Sequence, residues 1–272
     1  MVTLNELLWF VSVLAVASVV AGLLAGMFGI GGGAIIVPVL YQAFTLLDTP
    51  DAVRMHLSVG TSLAIIVPTS LSSFRAHYRR KAPDMALWRS WIVVVPLGVV
   101  AASLVVAHTP SALLRAVFAA TAVLIGLRLT FGRDSWRLGA DLPKNPARAF
   151  VGFAIGFLSA LIGIGGGILN NTFMTAYGRP LHQAVATSAG VGVLISLPGL
   201  IGFIWAGWNN PDLPIYSTGY VNWIAVILTI PTTLVMAPVG ANLAHRLSRR
   251  QLETAFGLFL LVVAGRFFWS FV

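Results

Sequence analysis

The chain of 272 residues has no cysteine, which excludes disulfides, thiolate metal sites and cysteine nucleophiles. Charge is also scarce. Only 9% of residues are charged, against roughly 25% in soluble domains. The acids are Glu6, Asp48, Asp51, Asp84, Asp134, Asp141, Asp212 and Glu253, all at termini, in loops or near the ends of apolar segments. Cation and proton pathways usually carry carboxylates at membrane depth, and the apolar runs here have none. Nor do they hold the clustered His, Asp, Glu or Cys that a membrane-embedded enzyme needs, so no catalytic or metal site is expected. No Lys or Arg precedes the first apolar run and no small-residue cleavage site follows it, which predicts a retained helix and not a signal peptide.

What is present is apolar surface. Hydrophobic residues make up 58% of the chain and mean hydropathy is +0.90, so lipid must be the main solvent. Apolar runs stand at about 7–44, 57–74, 91–107, 112–131, 148–177, 185–206, 220–242 and 252–271. A hydrocarbon core about 30 Å thick takes roughly 20 helical residues. Barrel strands would alternate apolar and polar residues, and these runs do not, so an all-α polytopic membrane protein is expected. The net charge of +9 would suggest nucleic acid in a soluble protein. Its concentration in short loops reads instead as the positive-inside bias, with the bilayer and no nucleic acid as partner.

The first and fifth runs are too long for one ordinary span. Each is broken near its middle by the same five residues: Gly29 to Gly33 match Gly163 to Gly167 (GIGGG) at a shift of 134, and Gly22 matches Gly156 at that shift. His56 to Ser62 match His182 to Ser188 at a shift of 126, sharing H-x-x-V-x-T-S. Pro96-Leu97-Gly98 resembles Pro238-Val239-Gly240, and Arg128 and Arg266 close the two halves. Matches kept in order predict a duplication, with repeats at 1–131 and 148–272 joined by a cytoplasmic linker at 132–147. Loop charge then orients the halves. Arg75, Arg79, Arg80, Lys81 and Arg89 mark one inner loop, Arg133, Arg137, Lys144 and Arg148 a second, and Arg246, Arg249 and Arg250 a third. The 207–219 loop has no Lys or Arg and belongs outside. The single cations Arg54 and Arg179 blur this pattern only slightly. Each long run must then leave and return on one side. The prediction is two inverted repeats, each a broken Gly-rich helical hairpin followed by three transmembrane helices, with both termini outside.

Non-helical backbone at membrane depth persists only where protein or water satisfies it. Glycine allows positive φ and close approach, successive N–H groups form an anion-binding nest, and the resuming helix adds its N-terminal dipole. Inverted half-helices meeting near the midplane recur in transporters. The expected anion site is therefore Gly31, Gly32 and Gly33 with Gly165, Gly166 and Gly167, against the plainer reading of close helix packing through small residues. Asn170 and Asn171 either donate to an oxyanion or satisfy the broken backbone. Thr61-Ser62 and Thr187-Ser188 are candidate cavity residues, although such hydroxyls more often bond back to the i−4 carbonyl. His56 and His182 are proton-coupling candidates, set against interfacial or capping roles. Arg128 and Arg266 are placed to snorkel to headgroups. Trp88, Trp91, Trp205, Trp208, Trp223 and Trp269 read as interfacial belt residues.

At Gly29 to Pro38 (GIGGGAIIVP), the second GIGGG and the two T-S pairs, the sequence resembles the TauE/SafE family of membrane permeases across nearly the whole chain. The resemblance implies export of a small sulfur-containing anion, sulfite or an organosulfonate, across the cell membrane (the inner one in a Gram-negative cell), without a prosthetic cofactor. One departure stands out. Thr172 occupies the position of Pro38, after Asn170-Asn171 in place of apolar residues. The expected protein is a secondary transporter working by alternating access, with protons as coupling ion. A passive anion channel and a non-transporting assembly protein are the alternatives.

Overall fold

The computed structural model describes residues 4–28, 33–131, 138–139, 141–244 and 248–269. The first half supplies α1 (Leu4–Phe28), α2 (Gly33–Leu46), α3 (Asp51–Arg79), α4 (Met85–Trp91), α5 (Val94–Val106) and α6 (Ser111–Phe131). The second supplies α7 (Ala147–Ile162), α8 (Gly167–Ala176), α9 (Leu181–Ala206), the strands β1 (Ser217–Thr218) and β2 (Val221–Asn222), α10 (Trp223–Ala244) and α11 (Arg249–Trp269). Five described helices are long and apolar enough to cross a membrane, and α4 with α5, bent by 42°, makes a sixth. The protein is thus all-α and polytopic. The two hairpin arms are shorter. At 1.5 Å rise per residue α2 spans about 21 Å and α8 about 15 Å, less than the roughly 30 Å core.

The halves pack by exchange. Helix α1 lies along α10, α7 lies along α5, α3 pairs with α9 and α6 with α11. The repeated glycines explain the close approach. A Cβ on Gly156 would come within 2.3 Å of the Val95 carbonyl oxygen, and one on Gly98 within 2.2 Å of that of Phe153. At the matching place in the other pair, a Cβ on Gly22 would meet Thr233 Cα at 2.9 Å. Ser18 and Thr229 share a hydrogen bond of 2.7 Å across the α1–α10 seam. Without a hydrophobic force between helices in lipid, such small-residue seams and polar contacts hold the pairs together.

Outward-facing Leu124, Ile227 and Val262 are largely exposed, as side chains solvated by lipid must be. Trp205, Trp208, Trp223 and Trp269 are also exposed and fit a belt. Trp91 does not. It is fully buried, its ring fills the space beside Gly152, and its Nε1–H donates to the Arg148 carbonyl at 3.1 Å. The missing side chain of Gly152 leaves a slot that the indole fills, which overrides its interfacial preference.

A second feature was not anticipated. Strands β1 and β2 form a hairpin in which Ser217 pairs with Asn222 and Thr218 with Val221. Gly219, at φ +53°, takes the first of two loop positions, where a tight hairpin needs positive φ. The hairpin packs onto α3 at Gly60, where a Cβ would lie 2.1 Å from the Tyr220 carbonyl oxygen.

Candidate functional site: two helix breaks in contact

Helix α7 stops at Gly163, whose φ of +68° places its backbone in the left-handed region, and α8 resumes after Gly166 at φ +73°. Two positive φ values within four residues select glycine because a Cβ would strain each. Within the turn, Ile164 N–H donates to the Ser159 carbonyl at 3.0 Å and Gly166 N–H to the Ile164 carbonyl at 2.7 Å. No side chain caps α8. Its first-turn N–H groups at Gly167, Ile168 and Leu169 therefore point past the helix end, as the geometry of any helix start requires.

The start of α2 lies against this turn. Gly33 opens α2, and a Cβ there would sit 2.8 Å from the Gly163 carbonyl oxygen and 2.9 Å from Ile164 Cα. Gly31 and Gly32 lie outside the described residues. Ser62 Oγ donates to the Gly163 carbonyl at 3.0 Å, fastening α3 to the end of α7. Ile66 closes over Gly165, and Gly192 of α9 lets that helix approach both Ser70 and the Gly165 carbonyl.

Polar side chains gather on one side of the contact. Asn170 Nδ2 donates to Ser188 Oγ at 2.6 Å, and Ser188 Oγ donates to Asn171 Oδ1 at 2.7 Å. The direction of this chain assigns the Asn171 amide, so that Nδ2 faces away from Ser188 as a donor. Asn170 Oδ1 and Ser159 Oγ are buried and have no hydrogen-bond partner among the described residues. Ser196, two turns beyond Ser188 on α9, is in the same state. Buried polar atoms without partners cost about 1–3 kcal/mol each, and Asn170 Oδ1 is such an atom one turn past the break. Counterparts in the first half, Ile36 and Val37, are apolar and buried.

The remaining expected residues are distributed differently. Thr61 Oγ1 accepts the Asn222 backbone N–H at 3.0 Å. Thr187 Oγ1 accepts that of Asp84 at 2.8 Å and donates to the Gln183 carbonyl, the i−4 bond anticipated for such a hydroxyl. His56 is buried, with Nε2 2.9 Å from the Thr109 carbonyl and its ring 4.6 Å from that of Tyr220, whereas His182 is exposed. Matching positions in the repeat do not share an environment. Arg128 and Arg266 are exposed near helix ends.

Several polar residues here were not singled out from sequence. Ser70 and Ser196 fall at the same shift of 126 as the T-S pairs, and that regularity was available to find them. Arg115 is a buried cation whose Nη1 donates to Tyr41 Oη at 2.7 Å and to Asp51 Oδ1 at 3.0 Å. It shares the apolar run 112–131 with Arg128 alone, and a cation within such a run is itself a signal.

Half-helices broken at glycine and packed inside a bundle of lipid-facing helices are the architecture of a membrane transporter. The family model described as Sulfite exporter TauE/SafE matches residues 14–267, and the chain belongs to that family. A probable membrane transporter protein of Haemophilus influenzae is 31% identical over 262 residues, covering 95% of this chain and 98% of the relative. One from Methanocaldococcus jannaschii is 30% identical over 269 residues, covering 94% and 97%. YunE of Bacillus subtilis, also a probable membrane transporter protein, is 24% identical over 270 residues. No solved structure matches the chain. The protein is a membrane transporter and not an enzyme.

Proposed function

We propose that the protein is a secondary transporter that exports a small sulfur oxyanion, sulfite or an organosulfonate, by alternating access around the two glycine breaks. The observation that carries this reading is the second break. There the uncapped start of α8 lies beside Asn170, Ser188 and Asn171, while the first break closes the opposite side with Gly33. All the hydrogen bonds described at the breaks join neutral groups, so charge complementarity comes from N–H dipoles and amide donors. Such donors suit a compact, weakly basic oxyanion that needs several short bonds and no fixed counter-ion. Asn171 Nδ2 is the side-chain donor in this scheme, and the glycine turn supplies the rest.

The inverted arrangement of the halves is part of the proposal. It is supported by the exchanged packing of α1 on α10 and α7 on α5. Both termini and the 207–219 loop are assigned to the outer face. The proton is the proposed coupling ion, with the buried His56 as its carrier.

Thermal stabilisation against sulfite, thiosulfate, sulfate, sulfoacetate, taurine and acetate tests the substrate. A ligand at 100 times its Kd that binds only the folded protein adds about 2.7 kcal/mol. A shift with sulfite or a sulfonate that is absent with acetate, and lost in Asn171→Leu, is expected. Equal shifts with every anion, or an Asn171→Leu variant that responds like the parent, would remove the site. In vesicles, saturable flux that follows an imposed pH gradient is expected, and flux linear in concentration would mean a channel.

A further inference from the structure

We infer that Thr61 and Thr187 are positioning residues, each completing from the opposite half the N-cap of a helix, so that the T-S pairs tie the second break to α10 and α4. Asp84 stands immediately before α4 and its Oδ1 accepts Leu87 N–H at 3.0 Å. Asn222 stands immediately before α10 and its Oδ1 accepts Ala225 N–H at 3.0 Å. These are the first half of a capping box. The second half is normally a Glu or Gln at the third helical position, whose side chain reaches back to the N-cap residue's own backbone N–H. That position is Leu87 in one helix and Ala225 in the other, and neither side chain can accept a hydrogen bond. In both helices a threonine from the other half takes the role: Thr187 Oγ1 accepts Asp84 N–H, and Thr61 Oγ1 accepts Asn222 N–H. The two boxes are split across the halves in a reciprocal way.

The neighbouring serines give this device its purpose. Consecutive helical residues point about 100° apart, so Thr and Ser of one pair reach different structures. Ser62 holds the Gly163 carbonyl at the end of α7, and Ser188 bridges Asn170 and Asn171 in α8. Each T-S pair therefore joins the second break on one side to the start of an opposite-half helix on the other. Because α4 and α10 occupy matching places in the two halves, movement at the break is passed to both halves through the same two-residue coupling. The threonines act on the rate of conformational exchange and not on the anion. This role in the cycle rests on the transport reading above, while the split caps themselves do not.

The test uses the full chain with Thr61→Val, Thr187→Val and the corresponding Ser variants. Valine keeps the shape and removes the acceptor, and serine restores it. Amide hydrogen exchange is expected to rise about tenfold or more at Asn222 in Thr61→Val and at Asp84 in Thr187→Val, each without the other. Sulfite Kd should stay within about twofold while the transport rate falls about tenfold, and both Ser variants should recover the rate. Unchanged exchange at these amides in either Val variant would overturn the split caps. Transport at the parent rate would overturn the coupling. Loss of sulfite binding with unchanged exchange would make the threonines ligands instead. If the parent protein binds no sulfite, the substrate reading fails, and the exchange measurement still decides the caps.

Discussion

A methyl group added at Gly156 would lie 2.3 Å from the Val95 carbonyl oxygen, with backbone on both sides and no flexible side chain to yield. Gly265 has nothing within 4 Å of the same position. Gly156→Val should therefore separate α7 from α5 and lower stability by at least ~2 kcal/mol. Gly265→Ala should change it by less than about 0.5 kcal/mol. Melting in detergent, read on both variants side by side, checks the contrast, and equal melting points would mean that the α5–α7 seam is looser than described. The same distinction applies at the site. Gly33 touches backbone of the other break, so its role is contact between the halves as well as helix initiation. The anion-binding and small-residue packing readings of the glycines are compatible at that position, because the breaks need the contact in order to face each other.

Among the elements, α10 and α4 start in comparable ways but are anchored to different depths. The Asn222 side chain is fully buried, accepts Ala225 N–H and donates to the Ile215 carbonyl at 3.2 Å and to Ser217 Oγ at 3.1 Å. It organises the β hairpin and the start of α10 together. Asp84 caps α4 with a single side-chain bond. Asp84→Ala should cost ~1 kcal/mol, as loss of an ordinary N-cap does. Asn222→Ala strands several buried groups and should cost ~2–4 kcal/mol. Denaturant or thermal unfolding of the two variants checks the order, and a smaller loss for Asn222→Ala would contradict the hairpin's dependence on it.

What the sequence revealed about these elements follows from range. The second glycine break was legible because glycines at positive φ between apolar helices are a local signal, and the same GIGGG string stands at Gly29 to Gly33. The polar Asn170 and Asn171 stood out because an apolar run surrounded them. The hairpin at 217–222 was invisible, since two-residue strands carry no alternation to detect. The partners of Thr61 and Thr187 were equally hidden, lying 161 and 103 positions away in the chain. The burial of Trp91 depended on Gly152 across a helix pair, and nothing near Trp91 announces it. Repeat logic also misled in one respect, because His56 and His182 match in sequence and differ in burial.

For the whole molecule, the proposed inversion of the halves fixes the side on which each loop lies. Because the chain has no cysteine, single cysteines introduced at the exposed Ser73 and Asp212 report sidedness without background. A membrane-impermeant maleimide should label them from opposite sides of a sealed vesicle. Labelling of both from one side would break the inverted assignment while leaving the helix packing intact. Asn170, Asn171 and Ser188 meet at the second break, whereas the counterparts of the two asparagines, Ile36 and Val37 on α2, are apolar and buried.

Contact between Gly33 and the Gly163–Ile164 backbone also has an electrical consequence. Gly163 ends α7, so the contact sets the N-terminal pole of α2 against a C-terminal pole. Each helix end carries the equivalent of about half a charge, and unlike poles in a medium of low dielectric attract. The seam between the halves therefore works as a clasp: it closes unaided, and opening it means drawing two opposite poles apart.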